Sequence, residues 1–298
     1  MSLDATQTVG AAPADSARAR RLTEWVFRVR ELGIVVALAL LVAVTAILEP
    51  RFIEADSLRN LALNASIFAI LAVGQTLVII TRNVDLSVGS VLGLAAFLAG
   101  DLLSSHPGMS LPLVFLLGIG LGAACGALNG VLVTFGQVPA LVVTLGTLYA
   151  FRGIAFLWTN GRQVNAETLP DGFLNLGTNT VLGIPVLVLI ALAGLAGVLF
   201  TARFGTVDAT AGTGYELTVV AAAVVGGVAI FGGSGTVYGA ALGALLLSSI
   251  TSSLIVLKVD AFWQQAAIGA LLLLAITIDR FVSLRIDAAL RQRSARRA

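Results

Sequence analysis

Charged residues fall in short intervals of this chain, and uncharged stretches at 60–81, 102–151 and 217–257 lie between them. A helix needs about 20 apolar residues to cross the hydrocarbon core of a bilayer. The two longer stretches therefore each hold two spans, or one span and a re-entrant piece. The pattern predicts membrane segments near 33–48, 60–81, 86–104, 111–133, 139–158, 184–202, 217–231, 237–257 and 261–278. All are expected to be helical, because a backbone exposed to lipid must close its hydrogen bonds within its own segment. The predicted fold class is an all-α polytopic transmembrane bundle, with an N-terminal cytoplasmic tail at 1–30, a transmembrane domain at 31–279 and a basic cytoplasmic tail at 280–298.

Composition agrees: 58% of the 298 residues are hydrophobic and 11% charged, against about a quarter charged in soluble domains. The first apolar run follows Arg18, Arg20, Arg21, Arg28 and Arg30 and ends at Glu49-Pro50 without a small-residue cleavage site, so it reads as a retained helix rather than a secretory signal. The net charge of +2 comes from arginines in the two tails, which suits anionic lipid and gives no folded basic surface for nucleic acid.

Arginine placement orients the segments, since loops rich in Lys and Arg stay cytoplasmic. With the N-terminal tail inside, 49–59 is outside, Arg82 is inside and 159–183 is outside. Treating 184–202 as one crossing then puts Arg280, Arg285, Arg291, Arg293, Arg296 and Arg297 outside, against the rule. Either a glycine-rich segment is not a full crossing, or 184–204 stands where two spans and a loop belong.

Polar residues within the apolar runs are the candidates for solute contact. Asn64, Phe68, Leu71 and Gln75 share one helical stripe, and amides beside a ring suit a sugar's hydroxyls and C–H face. Thr144, Thr147 and Phe151 share an arc of the fifth segment; the alternative for the threonines is a bond to their own helix backbone. Asp85 and Ser87, before Gly89, have the form of a helix start, and an acid at that depth also suits a gate. The glycines at 226–243 permit close helix packing or, alternatively, a backbone break beside a cavity. Phe262 and Trp263 read as interfacial anchors.

Several classes are excluded. Lys258 is the only lysine and no glycine-rich phosphate loop precedes it, so ATP is not bound here in that way. The segments hold almost no charge besides Arg152, which disfavours ion-coupled transport. Cys125 and His106 are single, which removes disulfides and multi-cysteine metal sites; His106 beside Pro107-Gly108 reads as a solvated loop residue. No clustered acids or bases indicate an enzyme, and no cofactor is called for.

An ordered set of motifs resembles the sugar-type branch of bacterial ABC importer permeases, the ribose, xylose, rhamnose and autoinducer-2 permeases, over about 31–282. The motifs are ILAVGQT at 70–76, DLSVG at 85–89, LNG at 128–130, VPALVVTLGT at 138–147, AGTGYEL at 211–217, VGG at 225–227, FGGSG at 231–235 and FWQQ at 262–265. The wording looks closest to rhamnose-type permeases. The resemblance implies a multi-pass inner-membrane subunit that moves a monosaccharide inward by alternating access. It also implies a second permease subunit, like or unlike, two ABC ATPase subunits that hydrolyse ATP, and an extracytoplasmic sugar-binding protein. On it, Asn129, Gly130, Gly214 and Glu216 join Asp85, Ser87 and Gly89 as motif residues.

One departure matters. Such permeases place a cytoplasmic loop with Gly-Arg and Ala-Ala-Gly patterns, the socket for the ATPase, before a span ending like LAGVLFTAR at 195–203. Here the preceding apolar piece runs directly into it near Ala193-Gly194. An internal deletion is expected, with ten spans in the ancestral pattern. The segment at 184–202 then either spans once or forms a re-entrant hairpin that preserves the orientation of the later segments. A permease derivative uncoupled from ATP, inactive or a scaffold, and a passive facilitator are the alternative functions.

Overall fold

The computed structural model describes residues 13–178, 180, 181, 184, 185, 196–230, 232–260, 262–274, 276 and 277. Ten helices are described: α1 (Pro13–Leu48), α2 (Ala55–Ile80), α3 (Val88–Ser105), α4 (Leu111–Thr134), α5 (Ala140–Thr159), α6 (Asp171–Thr178), α7 (Ala196–Phe204), α8 (Tyr215–Val225), α9 (Val237–Val256) and α10 (Phe262–Leu274). The first five and α9 are long and apolar enough to cross a bilayer, while α8 and α10 are shorter. The all-α expectation holds apart from a two-residue antiparallel pair, β1 (Thr180–Val181) with β2 (Ile184–Pro185).

The long helices match the hydrophobic pattern, with ends set by local chemistry. Pro50 and Pro112 sit in first turns, where a missing N–H costs nothing. Asn160 in the left-handed conformation closes α5. Of the segment read at 184–202, Ile184–Pro185 pairs as β2 and Ala196–Phe204 is helical as α7, and 186–195 lie outside the described residues. The expected junction at Ala193-Gly194 lies outside the described residues, as does the tail 280–298.

Helix direction follows from contacts at the two ends of the bundle. At the proximal end, Thr236 Oγ1 donates to Glu31 Oε1 at 3.0 Å and Gly233 N donates to Ile80 O at 3.0 Å. At the distal end, the Thr45 hydroxyl donates to Ser253 Oγ at 3.0 Å, both residues buried. Helix α9 therefore runs parallel to the membrane part of α1 and antiparallel to α2. Helix α10 returns beside it, packing Ile268, Leu271 and Leu272 against a core that includes Ala72 and Ile79 of α2.

Helix α3 is the most enclosed of the long helices, whereas α1 and α4 turn most of their surface outward. Around α3 gather Leu63 and Ile67 of α2, Val114 of α4, Val164, Phe173, and Val198 and Leu199 of α7. Small residues set the spacing. A methyl group added at Gly197 would strike the Leu92 carbonyl and Ala95, and one at Gly226 or Gly239 would strike the other's carbonyl oxygen. Gly226, Gly239 and Gly243 thus bring α8 and α9 into backbone contact, the packing role, while Gly232 and Gly233, at φ of 80° and 88°, turn the irregular connection between the two helices.

Gly239→Ala is expected to destabilise the fold by about 1–3 kcal/mol through overpacking. Gly120→Ala, where an added methyl meets open space, is expected to be neutral or mildly stabilising. Melting temperatures in one detergent compare the two, and equal shifts would contradict the close contact.

Candidate functional site

Two stretches of irregular backbone lie against α3, and the polar residues of the sequence gather around them. The first joins α2 to α3. Arg82 has a positive φ of 65°, and 83–85 then run without helical bonds before Ser87 opens α3. Side chains from three helices supply partners. With its amide oriented to satisfy both groups, Gln75 of α2 donates from nitrogen to Asp85 O and accepts at oxygen from Asp85 N, both at 3.2 Å. Thr144 of α5 donates to Val84 O at 3.2 Å. Asn129 of α4 donates to Ser87 Oγ at 2.9 Å.

Asp85 completes the turn. Its Oδ1 accepts from Ser87 N at 2.8 Å and Ser87 Oγ at 2.7 Å, covering a free donor at the start of α3. The carboxylate also lies near the positive end of that helix dipole. The expected helix start is present, with Asp85 as the acceptor, and a chain runs from Asn129 through Ser87 to Asp85.

The second stretch is the arm 205–214 between α7 and α8. It leaves the distal end, where Val207 and Val164 exchange backbone bonds of 2.9 and 3.0 Å, and returns beside the first turns of α3. Gly89 and Gly93 form its bed: a methyl at Gly93 would meet the Ala211 carbonyl, and one at Gly89 the Gly212 carbonyl and the Glu216 carboxylate. Arg152 Nη1 donates to Ala209 O at 3.0 Å and Ala211 O at 2.6 Å. Gly214, with φ of 83°, turns the arm into α8, and its N–H donates to Glu216 Oε1 at 3.3 Å.

The residues read as a path wall do not converge. Gln75 and Thr144 are buried and hold the α2–α3 joint. Thr147 bonds back to Val143 O at 3.1 Å within its own helix. Phe151 is buried with Leu94, Cys125 and Ala155. Phe68 packs its ring on Tyr215 with centroids 4.6 Å apart. Asn64 is half-buried one turn away, and its Oδ1 has no partner among the described residues. Gly130 faces open space. His106 is exposed at the end of α3, and Phe262 and Trp263 are exposed at the start of α10.

The role of Arg152 was missed, although its sign was readable: a lone charge in an apolar span must find partners. Its partners are backbone carbonyls 57 and 59 residues away, which no local pattern names. Among the described residues, no group of three or more His, Cys, Asp or Glu side chains could hold a metal ion.

The profile of a family described as "Branched-chain amino acid transport system / permease component" matches residues 57–179 and 180–276. The "Autoinducer 2 import system permease protein LsrC" of Salmonella choleraesuis (strain SC-B67) is 34% identical over 300 aligned positions, covering 84% of this chain and 85% of the relative. The protein of the same name from Escherichia coli (strain K12 / DH10B) is 32% identical over 313 positions, covering 88% and 90%. No solved structure matches.

Gln75→Leu keeps the volume but strips both partners from Asp85's backbone, an expected cost of about 2–4 kcal/mol, whereas Thr147→Val is expected to cost under about 1 kcal/mol. Arg152→Ala uncovers two carbonyls and is expected to cost about as much as Gln75→Leu, with partial recovery in Arg152→Lys. Unfolding in lipid nanodiscs measures all four, and an unaffected Arg152→Ala would contradict the arm's dependence on that side chain.

Proposed function

Because the chain belongs to the permease-component family of the branched-chain amino-acid transport type, we propose that it is the membrane-spanning subunit of an ABC-type importer for a small sugar-class solute. The observation that carries this reading is the match over residues 57–276, joined to relatives whose names specify import of autoinducer 2. Those names lend nothing to the rhamnose-type wording. The chain is a multi-pass inner-membrane protein; ATP hydrolysis belongs to separate ATPase partners, and delivery of solute to an extracytoplasmic binding protein. A second permease subunit, like or unlike, completes the pathway.

In this reading the two irregular stretches are the moving parts. Non-helical backbone at membrane depth is tolerated where protein covers it or a cavity borders it, and such breaks let one part of a bundle rock against another. Asp85, Ser87 and Asn129 form one joint; Arg152, Gly214 and Glu216 hold the other. No residue here carries out bond chemistry.

A second reading is favoured by a specific observation. The 300 aligned positions take up 84% of this chain, about 250 residues, so about 50 aligned positions have no residue here. The family match divides between 179 and 180. These support an internal deletion that removes the ATPase socket and leaves a permease derivative uncoupled from ATP.

Co-expression with the ATPase and binding protein of an autoinducer-2 importer separates the readings. The importer reading predicts co-purification of the ATPase and solute uptake into vesicles that depends on ATP and the binding protein. The uncoupled reading predicts neither until a segment of about 50 residues from a relative is inserted at the expected junction, Ala193-Gly194. Uptake without nucleotide would contradict both and favour a facilitator.

A further inference from the structure

Two guanidinium groups meet at the distal end of the bundle without a carboxylate between them. Arg203, in the last turn of α7, donates from Nη2 to Asn60 Oδ1 of α2 at 2.8 Å, and its guanidinium lies over the Phe204 ring, 5.4 Å from the centroid. Arg59 is close enough for its charge to oppose that of Arg203. The Nε atoms of both are enclosed and have no partner among the described residues. Glu54 and Asp56 stand exposed at the start of α2, on the water side of Arg59, yet neither pairs with it; the ion pair formed among the described residues joins Arg162 to Asp101. The 26 residues of α2 rise about 39 Å, so a helix centred on the roughly 30 Å hydrocarbon core extends about 4–5 Å beyond each border. Arg59 lies about 6 Å along the helix from Ala55, which puts it at the boundary between acyl chains and headgroups.

We propose that Arg59 and Arg203 hold the phosphate of one phospholipid in the distal leaflet, whose acyl chains lie along the exposed Leu58 and Phe204. The inference goes beyond the importer reading and does not depend on it, since it requires only that the chain span a bilayer. Like charges held together favour an anion between them, and a guanidinium is shaped to give a phosphate two parallel hydrogen bonds. Stacking on Phe204 covers a face of the Arg203 guanidinium and leaves N–H groups on its edge for that purpose. Lipid phosphates stand just outside the hydrocarbon, at the depth of the two arginines, whereas the hydrocarbon below supplies no acceptor. Approach from water is opposed, because an acidic protein surface or a free phosphate would pass Glu54 and Asp56 first. A lipid arrives within the plane of the bilayer, and the apolar side chains beside the charges match its chains.

Native mass spectrometry of the full chain in detergent, titrated with dioleoyl phosphatidylglycerol, reads the occupancy. Dioleoylglycerol supplies the same chains without the phosphate, and inorganic phosphate the anion without the chains. The proposal predicts one tightly held phosphatidylglycerol per chain, no comparable adduct with dioleoylglycerol, and no displacement by inorganic phosphate. Arg59→Gln removes no side-chain hydrogen bond formed among the described residues, and it is expected to weaken lipid binding about fivefold. Arg59→Gln combined with Arg203→Gln is expected to lose the lipid, and Arg59→Lys to keep most of it. Melting transitions check that each variant is folded, and where the double variant is not, Arg59→Gln decides. Equal lipid binding by the wild type and folded Arg59→Gln, an equally tight dioleoylglycerol adduct, or displacement by inorganic phosphate would overturn the assignment. A wild type that holds no phosphatidylglycerol overturns it as well; release of a co-purified binding protein by Arg59→Gln would then make an acidic protein surface the occupant.

Discussion

Inside a bilayer no water is available to satisfy a peptide N–H or C=O, and the architecture of this protein follows from how it meets that constraint where the chain is not helical. At 84–85 the partners are the Gln75 amide and the Thr144 hydroxyl, from two different helices, while Asn129 of a third holds the Ser87 hydroxyl. At 205–214 the partner is one guanidinium, which gives two hydrogen bonds to carbonyls of the arm. Each joint is held from outside its own segment, so neither is stable without the helices around it. Gln75, Thr144 and Arg152 act first as supports for the backbone.

The second constraint is distance. Side-chain partners reach the arm only if its backbone lies against α3, and Gly89 and Gly93, one turn apart, provide the bed. The same logic joins α8 to α9 through Gly226 and Gly239. Without a hydrophobic force between helices in lipid, close van der Waals contact and hydrogen bonds between them carry the association. This is why a chain so rich in leucine and valine depends on its glycines for its packing.

Much of the fold was legible because membrane helices announce themselves by length and by the exclusion of charge, and α1 to α5 and α9 all stand where the pattern places them. The glycine ladder and the helix start at Asp85 were also readable, being local. What sequence could not supply was partnership across distance. Gln75 and Asn64 look alike on one helical stripe, yet the first clasps the backbone of Asp85 and the second does not. Thr144 and Thr147 lie one turn apart, yet one bonds across to Val84 and the other to its own helix. Segment 184–202 is described only at its two ends, so the choice between one crossing and a hairpin lies outside the described residues.

The path after α7 decides the topology. Helix α7 rises beside the distal half of α3, the arm comes back, and α8 descends from mid-depth to the proximal end, so α9 starts on the side of the N-terminal tail. Helix α10 runs back from the distal end toward that same side, where the arginines of 280–298 lead one to expect the tail. The direct measurement is thiol labelling in intact cells of Ser294→Cys, with Ser16→Cys and Ser105→Cys as references for the two sides and Cys125 replaced by Ala. The account predicts that Ser294→Cys is shielded together with Ser16→Cys while Ser105→Cys reacts. Labelling of Ser294→Cys alongside Ser105→Cys would contradict it.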